Sequence, residues 1–305
     1  MSVNLYSSYD LDDMALKEQK FFIDGLLPEG LSFIAGPPKF GKTYLDLQLA
    51  VSVASGEEFL GRAVLNPCNV LYLYLEGDAA QVKQRLHDIY GEGRRFPRGL
   101  YFVHEIQSLS EGGLGELFRI VTDYDIRLVI IDTWQLVRGE ATLRGTAYQR
   151  EYNELTSLRN ELYGKLGVSV LLTHHTKQII SGKHVDDLHM LNGSSALSGC
   201  ADAVLLITGK RGSDRYWLTA HGRTFEDVEI AMERTNPMGW RVAGVGTPSL
   251  QKRILEILAE HPRGVTATCI HAVIPAVPED TIRRQLNRWA SAGVIKKDGK
   301  VFRLP

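Results

Sequence analysis

The chain has 305 residues and a formal net charge of -1 at pH 7; 44% of its residues are hydrophobic and 23% are charged. This is the composition of a globular protein, and the length suffices for about two domains. Its uncharged apolar stretches fall far short of the roughly 18 residues of a membrane-spanning helix, and the first twenty residues lack the layout of a secretory signal. We therefore expect a cytoplasmic protein with no membrane partner.

Charge is unevenly distributed along the chain. From Pro248 to Pro305, ten Lys and Arg residues face five Asp and Glu residues, so the C-terminal segment is basic while the rest is acidic. This break coincides with a possible boundary near Gly244–Pro248. We predict an N-terminal arm over residues 1–20, a first domain over 21–245 and a second over 248–305.

The three cysteines, Cys68, Cys200 and Cys269, are far apart and form no Cys-x-x-Cys pair. This spacing favours neither a disulfide framework nor a zinc site. We expect buried, reduced thiols.

Short apolar, β-branched runs alternate with helical segments through the first two hundred residues. That pattern predicts an α/β core, a mostly parallel sheet with helices on both faces. After Thr208 the strands follow one another closely, which predicts an antiparallel extension. The predicted strands are Leu31–Ala35, Val70–Leu75, Leu100–His104, Leu128–Asp132, Val168–Thr173, Ala203–Thr208, Arg215–Ala220, Val228–Met232 and Trp240–Val242, and the main helices Lys42–Ser55, Ala79–Tyr90, Gly113–Tyr124 and Ala147–Tyr163.

The segment Gly36–Thr43 fits the phosphate-loop pattern G-x-x-x-x-G-K-[ST], and it lies between a predicted strand and a predicted helix. In such loops backbone N–H groups cradle phosphates, the lysine reaches the outer phosphates and the hydroxyl binds magnesium. We therefore predict ATP and Mg²⁺ as cofactors, with Thr43 as a metal ligand. The predicted nucleotide-binding residues are Gly36, Pro37, Pro38, Lys39, Phe40, Gly41, Lys42, Thr43 and Tyr44.

Two further strands end in acids. Asp132 closes the apolar run before it, the arrangement of a Walker B acid that holds magnesium and its water. Glu76 follows a second strand, where a carboxylate beside the γ-phosphate can orient or deprotonate the attacking water. We predict Asp132 as the second metal ligand and Glu76 as the general base, although an acid at a strand end is often only solvated.

Six segments carry a resemblance to a known family: Leu26-Leu27-Pro28-Glu29-Gly30-Leu31, the Pro-Pro-Lys form of the loop, Tyr74-Leu75-Glu76-Gly77-Asp78, Ile131-Asp132-Thr133, Thr173-His174-His175-Thr176, and Gly193-Ser194-Ser195-Ala196 with Ala201-Asp202-Ala203-Val204. In order, spacing and strand context they resemble the RecA-fold ATPases of the plasmid RepA-type hexameric helicase group, over about residues 20–243. The resemblance implies a RecA-like core whose nucleotide sits between the subunits of a ring.

The same resemblance assigns two more roles. His175, rather than its neighbour His174, would sense the γ-phosphate at a position where many relatives have glutamine. Arg223 would supply a cation to the nucleotide of the next subunit, although His221 stands where several relatives have a lysine. Arg85, on the helix after Glu76, is a weaker candidate for contact near the nucleotide.

Two long connections, Gln135–Gln149 and Lys177–Asn192, follow the Asp132 and His175 strands. Loops of this length are uncommon unless functional, and in RecA-like rings they face the channel that grips single-stranded DNA. Neither shows the aromatic residues of a typical stacking platform, so the contact would be mostly electrostatic, and mobile loops with incidental charges are the alternative. The candidate contacts are Arg138, Arg144, Lys177 and Lys183.

The C-terminal segment predicts three helices, Leu250–Glu260, Thr266–Val273 and Glu279–Ala292, and a hairpin with Asp298-Gly299 as its two-residue turn. This arrangement resembles a winged helix. Its exposed cations suit nucleic acid, while contact with a protein or a neighbouring subunit is the alternative. The candidate contacts are Arg283, Arg284, Arg288 and Lys297.

Together these features favour an ATP hydrolase, a ring-forming DNA helicase of a phage or plasmid that translocates on single-stranded DNA, and we expect the ring to be a hexamer. The alternative is a RecA-fold DNA-binding ATPase that acts as a regulator, partition factor or loader without unwinding. A small-molecule kinase would need an Arg-rich lid, and the sequence has no clear one. Ring size, polarity and DNA or RNA preference stay open.

Overall fold

The computed structural model describes residues 5–12, 14, 19–138, 146–176, 196–210, 212–213, 215–235, 238–244, 250–274, 279–291 and 295–304. The chain divides into two compact units, Met1–Val242 and Ala243–Pro305. The helices of the first unit are α1 (Ser8–Asp12), α2 (Lys42–Ser55), α3 (Ala79–Tyr90), α4 (Gly113–Asp123), α5 (Trp134–Val137), α6 (Ala147–Arg159) and α7 (Ala196–Cys200), with a 3₁₀ turn at Leu109–Glu111 and a π-helical turn at Asn160–Gly164. Its strands are β1 (Phe21–Ile23), β2 (Leu27–Pro28), β3 (Leu31–Gly36), β4 (Asn69–Tyr74), β5 (Leu100–Val103), β6 (Ile126–Asp132), β7 (Ser169–His175), β8 (Ala203–Gly209), β9 (Tyr216–Gly222), β10 (Val228–Arg234) and β11 (Trp240–Val242).

Nine strands form one sheet in the order β11-β10-β9-β8-β3-β7-β6-β4-β5. From β8 to β5 all neighbours are parallel, and β9, β10 and β11 continue the sheet with antiparallel pairs. The prediction of a mostly parallel sheet with an antiparallel extension is thereby confirmed. Because the parallel strands share one direction, the residues that follow their carboxyl ends meet at one edge of the sheet.

The sheet is buried on both faces. In β4, Val70, Tyr72 and Tyr74 pack into the cluster that also contains α2 and α3. Leu71 and Leu73 point the other way, into the cluster formed with α4, α5 and α6. This alternation follows from the two-residue period of a strand, and burial on both faces explains why the strands are continuous apolar runs in the sequence.

A part-buried ion pair joins the helical layer to the start of the central strand. Arg159 donates to both carboxylate oxygens of Asp202, at 3.1 Å from Nε and 3.0 Å from Nη2. The Leu31 amide donates to the same carboxylate at 2.8 Å. Asp202 therefore fixes the first residue of the strand that ends in the phosphate loop.

The second unit contains α8 (Leu250–Glu260), β12 (Val265–Thr266), α9 (Ala267–Val273), α10 (Glu279–Ser291), β13 (Lys296–Asp298) and β14 (Val301–Arg303). The three strands form a small antiparallel sheet around a core that includes Ile254, Leu286 and Phe302. Asp298 pairs with Val301, so the prediction of an Asp298-Gly299 turn is wrong and Gly299-Lys300 forms the turn. β12 also pairs with β14, so the register of β14 is set from both sides and not by turn preference alone.

Three other expectations need correction or limits. The predicted loop after Asp132 begins with the short helix α5, because Trp134 and Val137 are buried under the sheet. Of the cysteines only Cys200 is buried; Cys68 is half-buried, and Cys269 is exposed on α9. In the parts of the chain that the structure describes, no helix is long and apolar enough to span a membrane.

Candidate nucleotide site

A cleft of about 360 Å³ opens at the carboxyl edge of the sheet. Residues that follow β3, β4, β6 and β7 line it, so the topology brings together the phosphate loop and the acids predicted from the sequence. The charged residues on its walls are the cations Lys39, Lys42, Arg85 and Arg234 and the carboxylates Glu76 and Asp132. This excess of cations suits a polyanionic ligand.

The phosphate loop leads directly into α2. Lys39 and Gly41 have φ values of +66° and +79°, and no side chain of the described residues caps the amino end of the helix. Its first amides are therefore left for another acceptor, as in an anion site. Gly41, Thr43 and Tyr44 line the cleft, whereas the Phe40 ring is buried against Tyr216 and can offer a ligand only its backbone.

Lys42 is buried, with 5% of its surface exposed. Its Nζ donates to the carbonyls of Gly36 and Pro37 at 2.8 and 3.1 Å, and it lies 2.9 Å from His175 Nδ1. Burial lowers the pKa of Lys42 from 10.5 to about 8, against the opposing charges of nearby carboxylates. A phosphate would supply a directly bonded charged partner for this ammonium.

Asp132 is buried beside Thr43, with which it shares a hydrogen bond, and its Oδ2 accepts from the Tyr72 hydroxyl at 3.0 Å. Burial raises the pKa of Asp132, and both hydrogen bonds oppose that rise. A hydroxyl and a carboxylate side by side are hard oxygen ligands of the kind that Mg²⁺ uses together with substrate phosphates. Among the described residues no cluster of three or more His, Cys, Asp or Glu side chains could hold a metal.

Glu76 and His175 stand on the walls of the same cleft. Glu76 is exposed, two residues beyond the end of β4. Burial, together with the charge of Lys42, lowers the pKa of His175. A neutral His175 accepts from Lys42 at Nδ1 and carries its proton on Nε2, which leaves that N–H as a donor. His174 is 4% exposed and is not among the residues lining the cleft.

An aromatic-cationic stack forms another wall. Arg85 lies over the rings of Tyr44 and Tyr74, at 5.6 and 5.1 Å from their centroids. The Tyr44 hydroxyl donates to Asp88 at 3.3 Å. Burial and the Asp88 charge raise the pKa of Tyr44, while the charges of Arg85 and Arg234 oppose the rise. Arg85, the weaker sequence candidate, thus lines the cleft.

The sequence analysis missed two charged residues here. Asp46, one helical turn after Lys42, is fully buried, and its Oδ2 accepts from Thr173 at 2.8 Å. Burial, reinforced by the charge of Asp132, raises its pKa well above the ordinary value. Arg234 reaches the cleft from the antiparallel extension. Burial of an acid in the phosphate-loop helix and the return of a distant hairpin leave no local sequence signal.

Arg223 lies at the opposite edge of the sheet. Gly222, the last residue of β9, pairs with Ala203, the first residue of β8, so Arg223 is far from the cleft of its own chain. The side chain is exposed, and Nη2 donates to the Gly199 carbonyl at 2.6 Å. His221, where a second cation was in question, lies 2.8 Å from Asp227.

The predicted nucleic-acid contacts are only partly described. Arg138 is paired with Glu151 at 3.2 Å and Glu154 at 2.7 Å, so its charge is already offset within the chain. In the second unit Arg283 pairs with Glu279, and Lys297 donates to Asn287 at 2.9 Å. Outside the described residues lie Arg144, Lys177 and Lys183, all of the loop Lys177–Asn192, and the side chains of Arg284 and Arg288.

The first of the two long connections ends beside an aromatic pair. Tyr148, on α6, is exposed, and its ring stacks on that of Tyr152 with centroids 6.1 Å apart. Because these residues are one helical turn apart, their rings share one face of the helix. The expectation that this connection lacks stacking aromatics therefore needs correction at its C-terminal end.

Comparison with solved structures shows a shared fold. A structure described as the ATPase domain of a larger protein matches 68% of this chain and 81% of its own, with a TM-score of 0.51 and 14% identity. The KaiC-like protein PH0186 from Pyrococcus horikoshii OT3 matches 72% of this chain and 93% of its own (TM-score 0.50, 17% identity). A DnaB-like replicative helicase, in a structure that describes its interactions with primase, matches 70% of this chain and 58% of its own (TM-score 0.50, 14% identity).

These likenesses establish the RecA-like fold of an ATPase core, as the sequence predicted. No curated protein matches the chain. The sequence model of the AAA domain matches residues 6–178, more than half of the chain. The match contains the phosphate loop, Glu76, Asp132 and His175, all of which meet at one cleft. The chain therefore belongs to the AAA domain family.

Proposed function

We propose that this protein hydrolyses ATP with magnesium as part of a ring-forming motor that moves along single-stranded DNA. The observation that carries the ATPase proposal is the cleft, where the ends of four parallel strands bring a phosphate loop, a buried Asp132 and an exposed Glu76 together. ATP and Mg²⁺ fit this cleft because helix amides, a buried ammonium and paired oxygen ligands are all present.

Each residue of the cleft then has one role. Lys42 exchanges the loop carbonyls for the outer phosphates, while Thr43 and Asp132 hold the metal, which neutralises developing charge on the phosphates. Glu76 orients the attacking water and accepts its proton, and its exposure gives that water access. The Nε2–H of His175 donates to the γ-phosphate, so loss of that phosphate is felt at the end of β7.

A second copy of the chain completes the site. Arg223 lies at the sheet edge opposite its own cleft, so it can serve only the cleft of a neighbouring copy. A head-to-tail contact of this kind repeats from copy to copy and closes into a ring, and we propose a hexamer. A cation supplied in trans is worth on the order of 10³–10⁵ in rate.

Single-stranded DNA is the proposed track, and strand separation in phage or plasmid replication the proposed task. Two fold relatives are described as an ATPase domain and a replicative helicase, which is consistent with this task. The basic second unit, with the three helices and hairpin of a winged helix, would add a duplex or backbone contact. The protein would act in the cytoplasm.

The test combines hydrolysis with complementation. ATP turnover and fork unwinding are measured with and without single-stranded DNA for the wild type, Lys42→Met, Arg223→Ala and a control, Arg119→Ala, which removes an exposed arginine on α4. Each of the first two variants should be inactive alone. An equal mixture should regain activity at about a quarter of the interfaces, where an intact cleft meets an intact arginine.

Two results would contradict the proposal. Full turnover by the Arg223→Ala variant, or no recovery in the mixture, would remove the shared site. DNA-stimulated turnover without unwinding would assign the protein to the DNA-binding regulators or loaders.

A further inference from the structure

Arg234 reaches the phosphate loop from far along the chain. Because β10 runs antiparallel to β9, and β9 to β8, the end of β10 returns to the edge where the loop lies. A Cβ atom placed on Gly41 would stand 2.8 Å from both Nη atoms of Arg234. The guanidinium therefore lies against the loop backbone one residue before Lys42.

Two aromatic rings hold this guanidinium. Arg234 Cζ is 4.5 Å from the centroid of Trp240 and 5.6 Å from that of Tyr216. The Trp240 indole Nε1 also donates to the Gly41 carbonyl at 3.1 Å, so one ring contacts both the cation and the loop. Within the described ranges, no carboxylate forms an ion pair with Arg234.

The hairpin that carries Arg234 is fastened to the helices of the nucleotide site. Gln48 of α2 exchanges two hydrogen bonds with the backbone of Trp240, at 2.7 and 2.9 Å. The Met238 amide donates to the Asp88 carbonyl of α3 at 3.3 Å. Such fastening fixes the guanidinium before any ligand arrives, and this preorganisation lowers the entropic cost of binding.

The cleft has two distinct ends. Glu76, Asp132 and His175 surround the end toward which Lys42 would extend the outer phosphates. Arg234 lies on the other side of Lys42, against Gly41 and close enough to Tyr44 to act on its charge. That position belongs to the inner phosphates, which remain when the outermost one has left.

We propose that Arg234 binds the inner phosphates of nucleoside di- and triphosphates within its own chain, and that Trp240 positions it. The inference rests on the proposed nucleotide site and adds a second cationic ligand to it. A guanidinium offers a planar fork of donors that matches phosphate oxygens, and an aromatic face holds it without neutralising its charge. Arg234 would act on binding, not on the chemical step.

The test is calorimetric titration of the full chain with Mg-ADP and with Mg-ATP. Arg234→Ala should weaken both by about ten- to a hundredfold, the range expected for a charge-assisted hydrogen bond. Arg234→Lys, which keeps the charge and loses the fork, should lie between the alanine variant and wild type. Arg241→Ala, on the neighbouring strand where Arg241 pairs with Glu233 at 2.7 Å, is the matched control and should change affinity less than about threefold.

Two further readouts separate binding from general damage. Arg234→Ala should raise KM for ATP while kcat stays near wild type, because an inner-phosphate contact is equally strong before and during reaction. Nucleotide should change the fluorescence of wild type, and the change should disappear in Trp240→Phe. Circular dichroism confirms that each variant is folded.

The outcomes are distinct. ADP affinity that is unchanged in both Arg234 variants overturns the inference. Loss of ATP affinity alone would place Arg234 on the outermost phosphate and also overturns it. A wild-type chain that binds neither nucleotide refutes the proposed function itself, before Arg234 is tested.

Discussion

Lys42 makes a quantitative prediction, because the fold buries its ammonium without a carboxylate ion pair from the described part of the chain. The pKa falls from 10.5 in the unfolded chain to about 8 in the folded chain, chiefly through burial. One pKa unit corresponds to about 1.4 kcal/mol, so holding the charge in the folded chain costs about 3 kcal/mol. Substitution by methionine, of similar length and without charge, removes that cost, and it also leaves two loop carbonyls without their donor.

The pH dependence isolates the charge from the lost hydrogen bonds. Between about pH 8 and 10.5 the unfolded wild type binds more protons at this site than the folded one, so its free energy of unfolding rises with pH across that window. The Lys42→Met variant has no such term. From pH 7.5 to pH 10 the wild type should therefore gain about 2 kcal/mol relative to the variant.

The assay is thermal unfolding of nucleotide-free protein at both pH values. For a unit of this size, 1 kcal/mol shifts the midpoint by about 2–4 °C, so the relative midpoints should change by about 4–8 °C. Lys165→Met is the control, because the Lys165 side chain is 64% exposed and should give a pH-independent difference. A Lys42→Met midpoint that stays parallel to wild type at both pH values would refute the reasoning.

Three other predictions follow from the same structure. Asp46→Asn should gain stability relative to wild type as pH rises from 5 to 8 in thermal unfolding, because the raised pKa means that the unfolded wild type loses its proton first. Gly41→Ala should reduce nucleotide affinity in titration by at least about tenfold, since its Cβ would meet a guanidinium, whereas Gly91→Ala, at a similar φ with open space, should cost only about 1–2 kcal/mol of backbone strain. Asp202→Ala should lower the free energy of unfolding by about 2–4 kcal/mol, against less than about 1 kcal/mol for Glu57→Ala at an exposed pair; equal losses in denaturant titrations would contradict the assigned burial.

Most of the sheet could be predicted because its strands are buried on both faces. Predicted Ala203–Thr208 and observed Ala203–Gly209 differ by one residue, since the apolar run and the buried segment coincide. The cleft followed from the same logic: Lys42, Glu76 and Asp132 each stand at or just beyond the carboxyl end of a parallel strand, and such ends share one edge.

What could not be predicted depends on register and tertiary burial. Asp46 has the sequence context of a solvent-facing helical residue, and only the packing of α2 against the sheet shows that it is buried. Trp240 has the sequence context of one more apolar strand residue, yet pairing with Arg234 at the end of the hairpin brings its ring to Gly41. Neither pattern changes when the register does, so the sequence alone carries no signal for these contacts.

The antiparallel extension places two arginines of consecutive strands at opposite edges of the sheet. Arg223 follows β9 at the edge away from the cleft, and Arg234 ends β10 at the edge beside it. One hairpin would then bind the nucleotide of its own chain through Arg234 and the nucleotide of a neighbour through Arg223. Because the paired strands move as a rigid unit, a shift of the hairpin on loss of phosphate would displace the arginine offered to the next copy. On this argument Arg234→Ala should weaken the dependence of one subunit's turnover on its neighbour's nucleotide, measurable as a lower Hill coefficient for ATP.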